Sequence, residues 1–468
     1  MKKERSNEKI LGYAVGTMAE ACIYNYVTSF FVLYLITIVN LSPTIASTIL
    51  SATILMESIG SMIIGQVSDG IRSKYGRRRP LILIAALATP VSIVCLFIRP
   101  NLNLFFTIGY YAVFSTLFWL LYTVFYIPYT ALGGELSRDY KDRIIIRTYS
   151  RAMGLIGSMV AYIFPNLSFK VLSKLGLSSQ RQWLFIAVAL GIMTFACYYI
   201  CFHKTRGCEQ TRTDYMEKNK ISLVSLVKNF EELIHLKAMR YCVAYKIFFM
   251  FGITLYSSSL MIFLRYVVNM KEEIVSLIFI FSTIVSLILT PFIAKRAVDV
   301  GKNLQQMESF FISGTIGLAV FFVGNYSYFA VALLIISYSY AQTSFWQLSN
   351  ALFYDIIEVD EFVYKKHREG DISCIQSVIG TLISSITIQF MGMLLNMSGF
   401  DGSLAVQHQG AIDWIKVIFV LLPAIGFIIS GLIIKHYPVT KKNYEKLRNC
   451  IEMNLDVTSV EDDIKKIL

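Results

Sequence analysis

The polar segments of this chain carry no Walker-type GxxxxGK[ST] run and no nucleophile-and-base pairing, and its eight cysteines form no CxxC pair. ATP hydrolysis and covalent catalysis therefore have no foothold, and an enzyme is not expected. Cys22, Cys95, Cys197, Cys201, Cys208, Cys242, Cys374 and Cys450 are scattered, several of them within apolar runs. Cys197 and Cys201 lie one helical turn apart, but no His or carboxylate accompanies them to complete a metal site. They read as packing residues, and neither a metal nor a cofactor is expected. The opening MKKERSNEKI runs into a long apolar stretch without an A-x-A-like cleavage site, so it reads as a cytoplasmic tail rather than a signal peptide.

What the chain has in abundance is apolar length. Of its 468 residues 55% are hydrophobic and 14% aromatic, more than one soluble core can hide. A membrane-crossing helix needs about 20 mainly apolar residues. Twelve such runs can be drawn, at roughly 11–36, 45–68, 81–98, 104–130, 150–169 and 184–202, then 242–266, 273–294, 307–324, 327–353, 372–396 and 415–434. The expectation is an all-α membrane protein of two six-helix halves, residues 1–203 and 239–436. Between them, 204–238 reads as a linker whose second part has the spacing of an amphipathic helix, and 437–468 as a C-terminal tail.

The net charge of +12 falls in short loops rather than on one soluble face, which argues against nucleic acid as a partner. Arg72, Lys74, Arg77, Arg78 and Arg79 follow the second run, whereas the loop after the first carries no charge. By the positive-inside rule both termini are cytoplasmic; a multi-pass protein of the cell membrane, and a monomer, is the expectation. Lys170, Lys174 and Arg181, after the fifth run, fit this less well. The halves echo each other: Gly76 and Gly301 each follow the second run of a half, 225 residues apart, and the same offset relates Glu135 to Asp360. Such repeats mark secondary transporters.

Glu20 and Glu57 stand inside apolar runs. A charged side chain at the bilayer centre costs roughly 2.5–3.5 kcal/mol on insertion scales, so a chain that keeps two such groups usually uses them on an ion or substrate path. Thr17, Glu20 and Tyr24 share one helical face. Trp119, Tyr122 and Tyr126 give the fourth run an aromatic face, and the tenth is loaded with Tyr338, Gln342, Phe345, Trp346, Gln347 and Asn350. Aromatic faces with polar edges suit a sugar, and equally other amphipathic solutes. Lys246, near the end of its run, is placed to snorkel, and Arg265 to anchor at an interface.

The loop GQVSDGIRSKYGRRRP (Gly65–Pro80), the stretch IPYTALGGELSRDYKDRIIIRTYSR (Ile127–Arg151), the opening GYAVGTMAEACIYNY and YDIIEVDEFVYKKHREGD (Tyr354–Asp371) together resemble the major facilitator superfamily. Within it they are similar to the glycoside-pentoside-hexuronide:cation symporters, the melibiose permease group, over about residues 11–435, and also to the sodium-coupled lysolipid transporters. The resemblance implies a major facilitator fold and symport of a small glycoside with a cation. It places Asp69, Arg72, Arg78, Glu135, Asp139 and Arg143, with Asp355 and Asp360 from the second half, at a cytoplasmic gate. It places the cation site at Glu57, with Thr17 and Ser61 where the group has further acids, and Glu20 one turn from Thr17 as a substitute. Arg151 matches an arginine of the sugar site, while Tyr126 and Thr381 stand where the group has a sugar-binding Asp and a Lys. With so few carboxylates, a proton suits the coupling role better than sodium. A carrier for a lysolipid or other amphipath, and a transport-inactive sensor or scaffold of the same fold, are the alternatives.

Overall fold

The structure is a computed structural model and describes residues 2–71, 73, 75–76, 78–136, 140–207, 231–364, 369–404, 406–440, 443 and 446. The expected linker falls largely on 208–230, and most of the C-terminal tail on 447–468, both outside the described residues. Among the described residues twelve helices are long and apolar enough to cross a membrane. They are α1 (Lys2–Thr37), α2 (Pro43–Gly70), α3 (Arg79–Leu96), α4 (Leu104–Glu135), α5 (Tyr140–Lys174), α6 (Ser179–Lys204), α7 (Lys237–Tyr266), α8 (Glu272–Val300), α9 (Lys302–Val323), α10 (Tyr328–Tyr364), α11 (Glu369–Met397) and α12 (Gln409–Lys435). Each apolar run read from the sequence is a helix, and α5 and α10 run well past their apolar stretches. Backbone groups in hydrocarbon must be satisfied within the segment itself, which is why a chain of this composition becomes helices and short connections.

Local chemistry sets the ends. Ser42 caps α2 by accepting from the Ile45 N–H at 3.4 Å, with Pro43 in the first turn, and Asn103 caps α4 by accepting from the Phe106 N–H at 3.1 Å. Gly76 and Gly301, the pair that relates the two halves, both have φ +102, a conformation open mainly to glycine, just before α3 and α9. Arg79 opens α3 and is buried. Its Nε and Nη2 donate to the Phe202 carbonyl near the end of α6 at 3.0 and 2.7 Å, and its Nη1 to the Tyr75 carbonyl at 3.0 Å. An arginine counted in the basic loop is thus a cap for a helix C-terminus.

The chain divides into two compact units. The first comprises Met1–Tyr215, Leu260–Ile280 and Ile388–Ile412, and the second Met216–Ser259, Phe281–Thr387 and Asp413–Leu468. Packing rather than chain order draws these bounds: in the first unit Tyr162 of α5 stacks on Phe279 at 4.0 Å, and Ser51 of α2 donates to Gln389 of α11 at 3.3 Å. Within that unit α1 packs on α5 and α6, α2 on α4, and α3 on α4 and α6. In the second, α9 packs on α10 and α12, and a π turn at Val417–Leu421 of α12 presents the Val420 carbonyl to Tyr338 Oη at 2.8 Å.

The approach of α1 to α5 depends on glycine. A methyl at Gly157 would run into the Met18 carbonyl oxygen, and one at Gly154 would lie 3.3 Å from the Thr17 methyl. Gly157→Ala is therefore expected to lower stability by about 1–3 kcal/mol through overpacking. Gly109→Ala, in a helix interior with nothing within 4 Å, is expected to be neutral or slightly stabilising. Thermal unfolding of the two variants in detergent checks this, and equal melting temperatures would contradict it.

Candidate functional site

On α1 the spacing of Thr17, Glu20 and Tyr24 presents all three on one side, and on α4 the same holds for Trp119, Tyr122 and Tyr126. The structure brings these two faces together. Tyr122 Oη donates to Glu20 Oε1 in a short hydrogen bond. Tyr24 meets Trp119 edge-on at 5.7 Å and Tyr122 at 5.7 Å, Trp119 meets Tyr122 at 5.7 Å, and Tyr122 stacks on Tyr126 at 5.7 Å. Glu57 arrives from α2, within electrostatic range of both Glu20 and Tyr24. Two carboxyl groups from different helices thus share one aromatic surround.

Thr17 is drawn aside. Tyr13 and Tyr129 stack at 4.2 Å, and each hydroxyl donates to the other's carbonyl, at 3.2 and 2.8 Å. With the Tyr129 proton so used, Thr17 Oγ1 donates to Tyr129 Oη at 2.5 Å and serves this clasp between α1 and α4. Ser61 Oγ is likewise spent on the Ser58 carbonyl of its own helix at 2.7 Å. Arg151 is exposed and has no hydrogen bond or ion pair among the described residues. On the α5 side Tyr162 Oη donates to Asn25 Oδ1 at 3.3 Å and lies 3.2 Å from Ser29 Oγ, while Asn25 Nδ2 donates to Ser158 Oγ at 3.1 Å. Tyr24 and Tyr162 are the members of this site that sequence reasoning leaves out of its candidates. The position of Tyr24 on the Glu20 face was a usable signal for the first, whereas Tyr162 had none.

The remaining candidates, Arg78 of the first unit apart, lie in the second unit or have side chains outside the described residues. Trp346 is exposed and Gln342 half-buried on α10, and Thr381 Oγ1 donates within α11 to the Ser377 carbonyl at 3.0 Å. Lys246 does not snorkel: it is 6% exposed, its Nζ donates to the Gln376 carbonyl of α11 at 2.6 Å, and it lies 5.5 Å from the Phe353 ring. A carbonyl within reach outcompetes the route to water. Of the gate candidates, Asp355 and Asp360 are buried and Arg78 half-buried. Arg72, Asp139 and the side chains of Asp69, Glu135 and Arg143 lie outside the described residues. Among the described residues no group of three His, Cys, Asp or Glu is placed to hold a metal.

The family model described as MFS/sugar transport protein matches residues 12–441. The chain is 23% identical over 447 residues to the inner membrane symporter YicJ of Escherichia coli (strain K12), covering 93% of each. It is 21% identical over 467 residues to the isoprimeverose transporter of Lactiplantibacillus pentosus, covering 97% of this chain and 93% of that one. The crystal structure of a D-xylose-proton symporter superposes with a TM-score of 0.62 at 12% identity, over 92% of this chain and 97% of that one, a likeness of fold.

Beyond the apolar part of α10, Lys302 Nζ contacts both Asp355 oxygens at 2.6 and 2.8 Å. Burial pushes the Asp355 carboxyl up to about 6, although the Lys302 ammonium beside it pulls the other way. A carboxyl raised in the fold holds its proton there longer than in the unfolded chain. Its stabilising contribution is therefore complete below about pH 4 and is lost as pH rises through about 6. Relative to Asp355→Asn, which cannot titrate, the melting temperature of the unmodified protein is expected to fall between about pH 4 and pH 7. Parallel curves for the two proteins would contradict this.

Proposed function

The chain belongs to the MFS/sugar transport protein family, and from that premise we propose that it is a secondary active transporter that moves a glycoside or related sugar together with a proton by alternating access. It is a multi-pass membrane protein and a transporter rather than an enzyme. The names of its relatives, an inner membrane symporter and an isoprimeverose transporter, support sugar symport at the cell membrane. The basic loop around Arg78 supports cytoplasmic termini.

The observation that carries the coupling is the placement of Glu20 on α1 and Glu57 on α2 within electrostatic range of each other, with Tyr122 of the aromatic α4 face donating to Glu20. Two carboxyl groups at close quarters in an apolar surround resist ionising together, so one of them is suited to take up and release a proton as the surround changes. Sodium is a poorer fit, because a hydroxyl stands at Thr17 and at Ser61, where the resembling symporters have further acids, so fewer carboxylates are left to hold a metal cation. Arg151, exposed on α5 and without a partner among the described residues, has five donors to offer a solute's hydroxyls or carboxylate.

Glu57→Gln keeps the shape of the side chain but cannot exchange a proton. In vesicles it is expected to abolish accumulation of a glycoside against its gradient while leaving solute exchange in place, and full accumulation would remove Glu57 from the coupling role. Arg151→Lys keeps the charge and loses the fork, so direct binding is expected to weaken at least about tenfold, or about 1.4 kcal/mol. Unchanged affinity would place Arg151 outside the solute site.

A further inference from the structure

Tyr24 is 41% exposed, yet its surroundings come from four helices: Glu20 on α1, Glu57 on α2, Trp119 and Tyr122 on α4, and Tyr162 on α5. An accessible ring with neighbours from four helices of the first unit is a surface that a solute can reach. The chemistry around that ring has one sign. Aromatic faces are electron-rich and attract cations, above all when desolvated, and both carboxyl groups are acceptors.

No lysine or arginine among the described residues answers them: the electrostatic partners of Glu57 and Glu20 are each other and Tyr122. Tyr122 engages Oε1 of Glu20, which leaves Oε2 without a partner among the described residues. A neutral sugar lying here would stack on the rings but leave that acceptor without a charged partner. A solute bearing an ammonium group would supply one and present C–H faces to the rings.

We propose that Glu20, Tyr24, Trp119, Tyr122 and Tyr126 form a cage for an ammonium group carried by the transported solute, the protonated amine of an amino sugar or a quaternary ammonium. Glu20 is the counter-ion, held in place by Tyr122, and the rings of Tyr24 and Tyr126, both accessible, are the walls. Trp119 backs them from a fully buried position, edge-on to Tyr24. Glu57 stays available for the proton. This deepens the reading of the first unit as the solute site and rests on it.

Binding to the purified full-length protein tests the cage with paired probes: glucosamine against glucose, and choline against its neutral isostere 3,3-dimethylbutanol. The charged member of at least one pair is expected to bind about tenfold tighter or more. That preference should vanish in Glu20→Gln and Tyr24→Leu and persist in Tyr24→Phe, which keeps the ring and controls for folding. Lysophosphatidylcholine against lysophosphatidylglycerol tells a lipid headgroup from a free solute: a preference for the choline lipid alone assigns the cage to a headgroup. No preference in any pair, or one that survives both Glu20→Gln and Tyr24→Leu, overturns the cage. Vesicle uptake of neutral glycosides separates this from the function above. Uptake without an ammonium preference removes the cage and leaves sugar transport, whereas ammonium binding with no transport of any probe does the reverse.

Discussion

The cost of keeping two carboxyl groups inside an apolar helical bundle governs the first unit. Neither Glu20 nor Glu57 is matched by a cation among the described residues, so the fold must offset the burial through hydrogen bonding, proton uptake or a ligand. The hydrogen bond from Tyr122 to Glu20 is the fixed part of that answer. It ties α1 to α4, aligns the aromatic face of α4 toward the acids, and leaves one acceptor of Glu20 open among the described residues. In the proposed function this part, which is not fixed, is what responds to a proton or a cationic solute.

The rest of the unit holds that contact in register. Reciprocal hydrogen bonds between Tyr13 and Tyr129 lock α1 against α4 below Glu20, and the glycines of α5 bring its backbone onto α1 at Met18. Above it, Asn25, Ser29, Ser158 and Tyr162 link α1 to α5 a second time, and Tyr162 stacks on Phe279 of α8. Glu20 therefore sits between two side-chain clasps, which keep its helix from rotating the carboxyl away. A site held from both ends needs little reorganisation to bind, which is where preorganised polar groups have their effect.

Much of the fold was legible because hydropathy speaks directly to helix number. All twelve apolar runs are helices, and the Gly76 and Gly301 echo is structural, since both adopt the same left-handed φ before corresponding helices. Helix ends were less legible: α5 begins at Tyr140 and α10 continues to Tyr364 through charged residues, where backbone hydrogen bonding outlasts the apolar pattern. In the site, the faces of α1 and α4 could be read from spacing. Their pairing could not, since the partner of Glu20 lies 102 residues away and is set by packing. The same limit explains Lys246 and Arg79, whose accepting carbonyls belong to distant helices that no local pattern reveals.

The central claim is that solute movement is tied to a proton through the acid pair. Its most direct test is the luminal pH of vesicles containing the purified protein, recorded while a glycoside or amino glycoside flows inward in sodium-free buffer with the membrane potential clamped. For every solute that the protein exchanges, the account predicts acidification of the lumen that scales with solute entry. A solute that enters with no change in luminal pH, or that enters only when sodium is restored, would contradict it.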